Sequence, residues 1–277
     1  MYFKKAKNKE IEGRFTMPKQ IAIGTMKGGV GKTMLAVQVA TTLAKDYNKK
    51  VLFVDTDAQA NSTNYFNIDE FAEGYKGFKD AVELNIPPKE CIMETNVPGV
   101  EIMGSTIYIT ALDFKLFQMP AREVRLKTYL TKNADFFDKY DYIIYDTNPS
   151  MNLINQNVFS ACDNIILIAE ASTASAKGLD LFRELWGGIA ESLDMEDKIK
   201  CVVLNRVTDR TNITKQFKNY ISQSIYKDIT LTNYITESTA FKNAEAGSNP
   251  LANLLANNKQ SKQIRAVVDE LFKREVL

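Results

Sequence analysis

Five short runs of consecutive apolar residues punctuate the chain, and each ends in a glycine or a polar or small residue. They are Ile21–Gly24, Val51–Asp55, Tyr142–Asp146, Asn164–Ala169 and Cys201–Asn205. The runs are continuous and do not alternate with polar residues, which is typical of parallel strands that are covered on both faces.

Apolar residues at helical spacing occupy the intervals between these runs. The pattern predicts helices over residues 32–46, 122–137, 176–193, 211–224 and 259–274. Strands that alternate with helices of this length indicate an α/β fold: a doubly wound, mostly parallel sheet with helices on both faces. We expect loops, a short helix and minor strands in residues 61–100. Residues 1–17 show no period and are interpreted as an N-terminal tail, and residues 18–277 as a single domain.

Composition narrows the chemistry. The 277 residues carry 35 Lys and Arg against 34 Asp and Glu, so a net charge of +1 gives no overall basic field for nucleic acid. Histidine is absent, and three cysteines without a CxxC pair argue against a disulfide framework or a zinc site. No apolar run has the length of a membrane span, and the N-terminus lacks the apolar core of a secretory signal. We therefore expect a cytoplasmic protein without a membrane partner.

A glycine-rich loop follows the first predicted strand and leads directly into the first predicted helix. In Thr25–Thr33, glycines at 28, 29 and 31 allow backbone N–H groups to surround phosphates, and the helix N-terminus adds partial positive charge. Lys32 is expected to reach the β- and γ-phosphates, and the Thr33 hydroxyl to bind Mg²⁺. The loop predicts a nucleotide site.

Lys27 precedes the glycines, and the segment KGGVGKT resembles the deviant Walker A motif of the ParA and MinD family. The resemblance covers residues 19–274. It implies a P-loop NTPase fold and an ATP-dependent sandwich homodimer in which Lys27 contacts the nucleotide of the partner subunit. In that role Lys27 would stabilise transition-state charge as an arginine finger does. The alternative is a solvated loop lysine.

Two carboxylates, Asp55 and Asp57, stand at the end of the second predicted strand, where both would project toward the phosphate crevice. The segment resembles the DxDPQGN motif of the family, with Ala58 and Ala60 in place of proline and glycine. Asp57 is the candidate that orients the attacking water, because a carboxylate is the natural base without histidine. Asp55 would tune the metal or the Walker lysines. The alternative is that both carboxylates only cap the following loop.

Asp146 ends a hydrophobic strand, which is the Walker B arrangement, and would hold Mg²⁺ directly or through water. Thr147–Ser150 resembles the DTPPS switch of the family, with Asn148 in place of a proline. Asn205 and Arg206 lie where relatives bind adenine, and the chain lacks the NKxD signature for guanine, so ATP is favoured over GTP. Residues 237–250 resemble the loop that surrounds the base. The full set of expected nucleotide contacts is Lys27, Gly28, Gly29, Val30, Gly31, Lys32, Thr33, Met34, Asn205 and Arg206.

The resemblance implies a DNA-partition ATPase of the smaller, Soj-like form, since no helix-turn-helix module precedes the loop. The ATP dimer would bind DNA without sequence preference on the nucleoid, and a ParB-like centromere-binding partner would stimulate hydrolysis and release. Such DNA binding requires exposed cations. The candidates are Arg206, Arg210, Lys215, Lys218, Lys262 and Arg265; the alternative is that they form solvated helix faces.

Other functions share this design. A MinD-like membrane-cycling ATPase would need an amphipathic C-terminal helix with a basic rim. The stripe of Ile264, Val267, Val268, Leu271 and Phe272 is apolar, but acidic residues interrupt the positive face, so packing on the domain explains it better. Iron–sulfur carriers of the family would need bridging cysteines. A nucleotide-binding scaffold without turnover is the third alternative.

Overall fold

In residues 16–238 and 258–277, which the computed structural model describes, seven strands form one sheet in the order β3-β4-β2-β5-β1-β6-β7. Only the edge strand β3 is antiparallel to its neighbour. The strands are β1 Lys19–Gly24, β2 Val51–Asp55, β3 Met93–Glu94, β4 Val100–Met103, β5 Tyr142–Asp146, β6 Asn164–Glu170 and β7 Ile199–Asn205. The predicted doubly wound, mostly parallel sheet is confirmed.

Helices cover both faces of this sheet. They are α1 Lys32–Tyr47, α2 Asn61–Tyr65, α3 Phe78–Leu84, α4 Pro88–Cys91, α5 Thr110–Gln118, α6 Arg125–Lys132, α7 Ala134–Phe137, α8 Leu153–Ala161, α9 Thr173–Ser192, α10 Asn212–Gln223 and α11 Lys259–Lys273. Two apolar cores result, one on each face. Helices α1 and α11 pack on one core, and α3, α5, α6, α8, α9 and α10 on the other.

Two expectations need correction. The single helix expected over residues 122–137 is divided into α6 and α7, because Asn133 departs from helical geometry with φ −115° and ψ 29°. Residues 61–100 are more regular than expected: they contain three helices, and β4 begins at Val100 as a full member of the sheet beside β2.

The apolar stripe of α11 is buried against the domain. Ile264, Val267, Val268 and Leu271 are at most 2% exposed, and the Phe272 ring packs 4.8 Å from the Tyr47 ring. The stripe therefore belongs to the core, as the sequence indicated, and α11 as described has no free apolar face for a bilayer. Within the described ranges, no helix has the length and apolar character needed to cross a membrane.

Residues 1–15 of the expected tail, and residues 239–250 of the segment expected to surround the base, lie outside the described residues. Thr16 is anchored, since its N–H donates to Asp138 Oδ1 at 2.7 Å, and Met17 packs against the core. The three cysteines are free and buried.

Candidate nucleotide site at the carboxyl edge of the sheet

The loop between β1 and α1 is shaped by two glycines in the left-handed region. Gly29 has φ 76° and Gly31 φ 85°, and a Cβ on Gly31 would collide with the amide nitrogen of Asn205. Gly31 is also the N-cap of α1, and no side chain caps this helix. The N-terminus of α1 therefore presents its first N–H groups together with its partial positive charge. This arrangement suits the binding of an anion.

This loop forms the wall of a cavity of about 610 Å³. The cavity brings together most of the residues that the sequence assigned to nucleotide: Lys27, Gly28, Gly29, Val30, Gly31, Lys32, Thr33, Met34, Asp57 and Arg206. Four residues to which the sequence assigned no nucleotide contact also line it, namely Gln59, Asn61, Tyr65 and Pro149. A cavity of this size, lined by N–H groups, two lysines and a hydroxyl, has the chemistry of a polyphosphate site.

Lys32 and Asp146 form a buried ion pair beneath the cavity. Lys32 Nζ lies 2.5 Å from Asp146 Oδ1, and the two side chains are 7% and 1% exposed. Ser62, which the sequence did not single out, donates its hydroxyl to the other Asp146 oxygen at 3.1 Å. The Walker lysine is thus neutralised within the chain, and it must exchange this carboxylate for a phosphate when nucleotide binds.

Asp55 lies beside Asp146, because the two residues are register partners in the β2–β5 ladder. It is fully buried, and its oxygens accept hydrogen bonds from the Asp57 N–H and from the Thr63 N–H and hydroxyl. Burial, and then the charge of Asp146, raise the pKa of Asp55 well above its ordinary value. The expectation that both carboxylates face the crevice is met by Asp57 alone, because Asp55 is turned inward toward Thr63.

Asp57 is partly exposed at the cavity wall, and its carboxylate accepts a hydrogen bond from the Gln59 N–H at 3.0 Å. Ala60, which stands where the family has a glycine, directly precedes α2. Its φ of 49° lies in the left-handed region, where a side chain is strained. The next turn supplies Ser62 and Thr63 to the two buried carboxylates. This loop therefore links the cavity wall to the acids below it.

Asn148, which replaces a proline of the switch, is fixed by Asn155 at the start of α8. Asn155 Nδ2 donates to the Asn148 carbonyl at 2.8 Å, to Asn148 Oδ1 at 3.0 Å and to the Ser150 carbonyl at 2.7 Å. In relatives, a proline ring at this position restricts the backbone. Here the hydrogen bonds from the Asn155 amide hold the segment instead.

Lys27 lies at the rim of the cavity and is paired within its own subunit. Its Nζ donates to the Glu170 carboxylate, at the end of β6, and to Ser172 Oγ at 3.3 Å. The Lys27 and Glu170 side chains are 27% and 24% exposed, so the pair is accessible from solvent. Sequence reasoning missed Glu170, although it ends an apolar run in an acid as Asp55 and Asp146 do.

Asn205 and Arg206 hold the outer side of the loop from the end of β7. Asn205 Nδ2 donates to the Val30 carbonyl at 2.8 Å, and Arg206 Nη1 donates to the Gly29 carbonyl at 2.5 Å. Both residues also line a narrow cleft that adjoins the cavity. Arg206 is therefore directed at the loop, which fits its nucleotide assignment; its DNA assignment remains a prediction.

The remaining DNA candidates lie on opposite faces of the sheet. Lys215 and Lys218 are exposed on α10, where Lys218 pairs with Asp209 at 3.7 Å. Lys262 and Arg265 lie on α11, on the other face, and Arg265 Nε lies 2.6 Å from Asp46 Oδ2. Exposed Arg210 has φ 74° in the loop that leads to α10. One subunit thus presents two separate groups of cations.

The donors fit a bound Mg²⁺ and nucleotide. Mg²⁺ prefers hydroxyl and carboxylate oxygens and keeps several waters and phosphate oxygens. Thr33 lines the cavity, and the Asp146 carboxylate lies below it beside Lys32. Among the described residues, no three acidic, cysteine or histidine side chains form a cluster that would hold a metal ion unaided. The metal assignments of Thr33, Asp55 and Asp146 remain predictions.

Comparisons with known proteins agree with this geometry. A family model described as AAA domain matches residues 18–201. The sporulation initiation inhibitor protein Soj of Bacillus subtilis is 30% identical, over 77% of this chain and 84% of Soj. The chromosome partitioning protein ParA of Myxococcus xanthus is 27% identical, over 78% of this chain and 76% of that protein. A Borrelia burgdorferi B31 structure, assigned to plasmid partition and bound to AMPPNP, is 25% identical with a TM-score of 0.75, covering 94% of this chain and all of that one.

Proposed function

The chain belongs to the ParA/Soj-type partition ATPases, a deviant Walker A family of P-loop NTPases, and we propose that it binds and hydrolyses MgATP to position a DNA cargo. ATP would join two subunits into a sandwich dimer. The dimer would bind DNA without sequence preference on the nucleoid, and a ParB-like centromere-binding partner would trigger hydrolysis and release.

The observation that carries the proposal is the position of Lys27. It lines the same cavity as Lys32 and Thr33, yet its amine lies on the accessible rim beside Glu170. A second cation at the open side of a phosphate cavity suits an anionic group that arrives from outside the subunit. Two nucleotides facing each other would form a dense anionic seam, and cations from both subunits would stabilise it.

ATP binding would begin with an exchange of partners at Lys32. Its amine would leave Asp146 for the β- and γ-phosphates, while the loop N–H groups bind the remaining oxygens. The freed Asp146 carboxylate and the Thr33 hydroxyl would then be available to Mg²⁺, which supplies positive charge to the phosphates. Binding therefore replaces one buried ion pair with another, and leaves neither charge unpaired.

Hydrolysis would depend on Asp57. Its carboxylate is partly exposed on the cavity wall, whereas Asp55 is buried and already accepts hydrogen bonds from Asp57 and Thr63. Asp57 would orient and polarise the attacking water, a contribution that acts on the transition state more than on binding.

DNA binding would require the dimer. With a net charge of +1 and cations divided between α10 and α11, one subunit offers only small basic patches. Two subunits double the phosphate contacts, and the second patch binds at high effective concentration. The affinity should therefore rise far more than twofold and fall steeply between about 50 and 200 mM salt.

Co-sedimentation with plain DNA and with anionic liposomes, each with and without ATP, tests this function. We expect the protein to pellet with DNA only when ATP is present, and not with liposomes. Lys215→Ala with Lys218→Ala should weaken binding to all DNA sequences alike and leave dimerisation intact. An ATP dimer that pellets with liposomes but not with DNA would replace the partition function with membrane cycling.

Glu170→Gln provides the matched control for Lys27 variants, because it removes the partner in the subunit and keeps the cation. It should still dimerise with ATP, whereas Lys27→Gln should bind ATP as a monomer.

A further inference from the structure

Helix α1 carries a fully buried glutamine, Gln38. Gln38 is 1% exposed, and neither Nε2 nor Oε1 makes a hydrogen bond in the part of the chain that the structure describes. A buried amide without partners costs folding stability, and such groups are rare in native interiors. The position therefore calls for a ligand or another role that offsets this cost.

Gln38 lines the cleft that adjoins the phosphate cavity. The cleft and the cavity share Gly31, Met34 and Arg206, and the cleft encloses only about 20 Å³, so a molecule that occupied both would have to widen the cleft. At 1.5 Å per helical residue, Gln38 lies about 10 Å along α1 from Gly31, which places it at the end remote from the phosphates. A ribose and a purine ring together span a comparable length.

The walls between these ends suit a flat, apolar ring. They include Met34, Leu35, Ile235 and Ile264, and Gln38 adds an amide donor and acceptor among them. Asn205, the residue that the sequence assigns to the base, already donates Nδ2 to the Val30 carbonyl. Among the described residues that line this cleft, Gln38 is thus the amide with both polar atoms uncommitted.

We propose that Gln38 binds the edge of the adenine ring of ATP. Its Oε1 accepts a hydrogen bond from the 6-amino group, and its Nε2 donates to the adjacent ring nitrogen. A carboxamide presents a donor and an acceptor side by side, as the adenine edge does, and such bidentate pairs are a recurrent means of adenine recognition. This inference rests on the proposed ATP site and adds a residue that determines base recognition.

Thr41 supplies a matched control on the same helix. Its hydroxyl is also buried without a partner among the described residues, and it lines a neighbouring pocket with Lys45, Asp46 and Arg265 that Gln38 and Ile264 border as well. Thr41 does not line the nucleotide cleft, so Thr41→Val removes an unpaired buried group of similar kind beside Gln38 but outside the cleft. It reports what such a change does to the fold alone.

The test compares MgATP with the triphosphate of purine riboside, which lacks the 6-amino group, by titration calorimetry. Wild type should bind ATP about tenfold or more tightly than the purine analogue. Gln38→Leu should bind ATP about tenfold or more weakly than wild type and should no longer distinguish the two nucleotides. Thr41→Val should behave as wild type with both.

Thermal unfolding without nucleotide provides a second readout, in which Gln38→Leu should gain stability although it loses affinity for ATP. Because Gln38→Leu removes an unpaired amide, its melting temperature should rise by about 2 °C or more above wild type. A residue with only a structural role would show the reverse, a lower melting temperature with unchanged preference for ATP. Gln38→Met keeps the unbranched shape of glutamine. It therefore distinguishes the loss of the amide from poor packing of the branched leucine.

The outcomes separate this inference from the function beneath it. If wild type binds ATP but neither Gln38 variant loses affinity or discrimination, the base-binding role of Gln38 is wrong and the ATP site stands. If wild type binds neither triphosphate, the proposed function itself is wrong.

Discussion

Lys32→Met should destabilise the nucleotide-free fold, in addition to removing a phosphate contact. Lys32 Nζ lies 2.5 Å from Asp146 Oδ1 with both side chains buried, and the fully buried Asp55 is the register partner of Asp146. Without the lysine, two neighbouring carboxyl groups would share a buried site from which a cation has been removed. A variant made to abolish ATP binding would then also unfold more readily.

Loss of one partner from a buried ion pair typically costs about 3–5 kcal/mol. At about 2–4 °C per kcal/mol for a chain of this size class, the melting temperature should fall by about 6–20 °C. The loss should be greater at pH 8 than at pH 5. Burial and the charge of Asp146 already raise the pKa of Asp55, and without Lys32 the protonated form gains further, so the folded variant loses stability as pH rises.

Urea unfolding of wild type, Lys32→Met, Asp146→Asn and the double variant measures this coupling at both pH values. The double variant should recover most of the stability, because both charged partners have been removed and neither is left unpaired. Lys49→Met is the control, since it breaks an exposed pair with Asp141 at 3.6 Å and should cost less than about 1 kcal/mol. A free energy of unfolding for Lys32→Met within about 1 kcal/mol of wild type at pH 8 would contradict a stabilising role of the buried pair.

Three further variants test the site. Asp57→Ala should bind ATP and dimerise but hydrolyse it at least about tenfold more slowly in a steady-state assay; weaker ATP binding with unchanged turnover per bound site would count against its role. Ala60→Gly should raise the free energy of unfolding by about 1 kcal/mol in urea, because φ is 49°; lower stability would show that the methyl contacts outweigh the strain. Burial and the charge of Asp146 raise the pKa of Asp55 from its ordinary 3.8 to about 7, so this group lowers wild-type stability as pH rises through that interval. Asp55→Asn should flatten the pH dependence between pH 4 and 7, and a curve parallel to wild type would contradict the assignment.

The sequence predicted best where one local signal sufficed. Strands β2 and β5 match the predicted bounds because each is a continuous apolar run closed by an aspartate. Helix α8 was missed, because its Asn155 and Asn157 are fully buried and serve the neighbouring loops by hydrogen bonds. The spacing of apolar residues cannot reveal a helix whose buried face carries polar side chains that make tertiary hydrogen bonds.

The phosphate loop was predictable because its residues are consecutive, whereas its partners come from distant segments. The Lys27–Glu170 pair joins residues 143 positions apart, and it exists because β6 is the neighbour of β1 in the sheet. Asp57 and Asp55 looked equivalent in sequence, and only the hydrogen bonds of Thr63 distinguish the buried acid from the one on the cavity wall.

Light scattering of MgATP-bound protein tests whether Lys27 holds two subunits together in a sandwich dimer. We expect wild type to double in mass when ATP is added, Glu170→Gln to do so too, and Lys27→Gln to bind ATP and stay monomeric. An ATP-bound Lys27→Gln that dimerises as wild type does would contradict a sandwich dimer held together through Lys27.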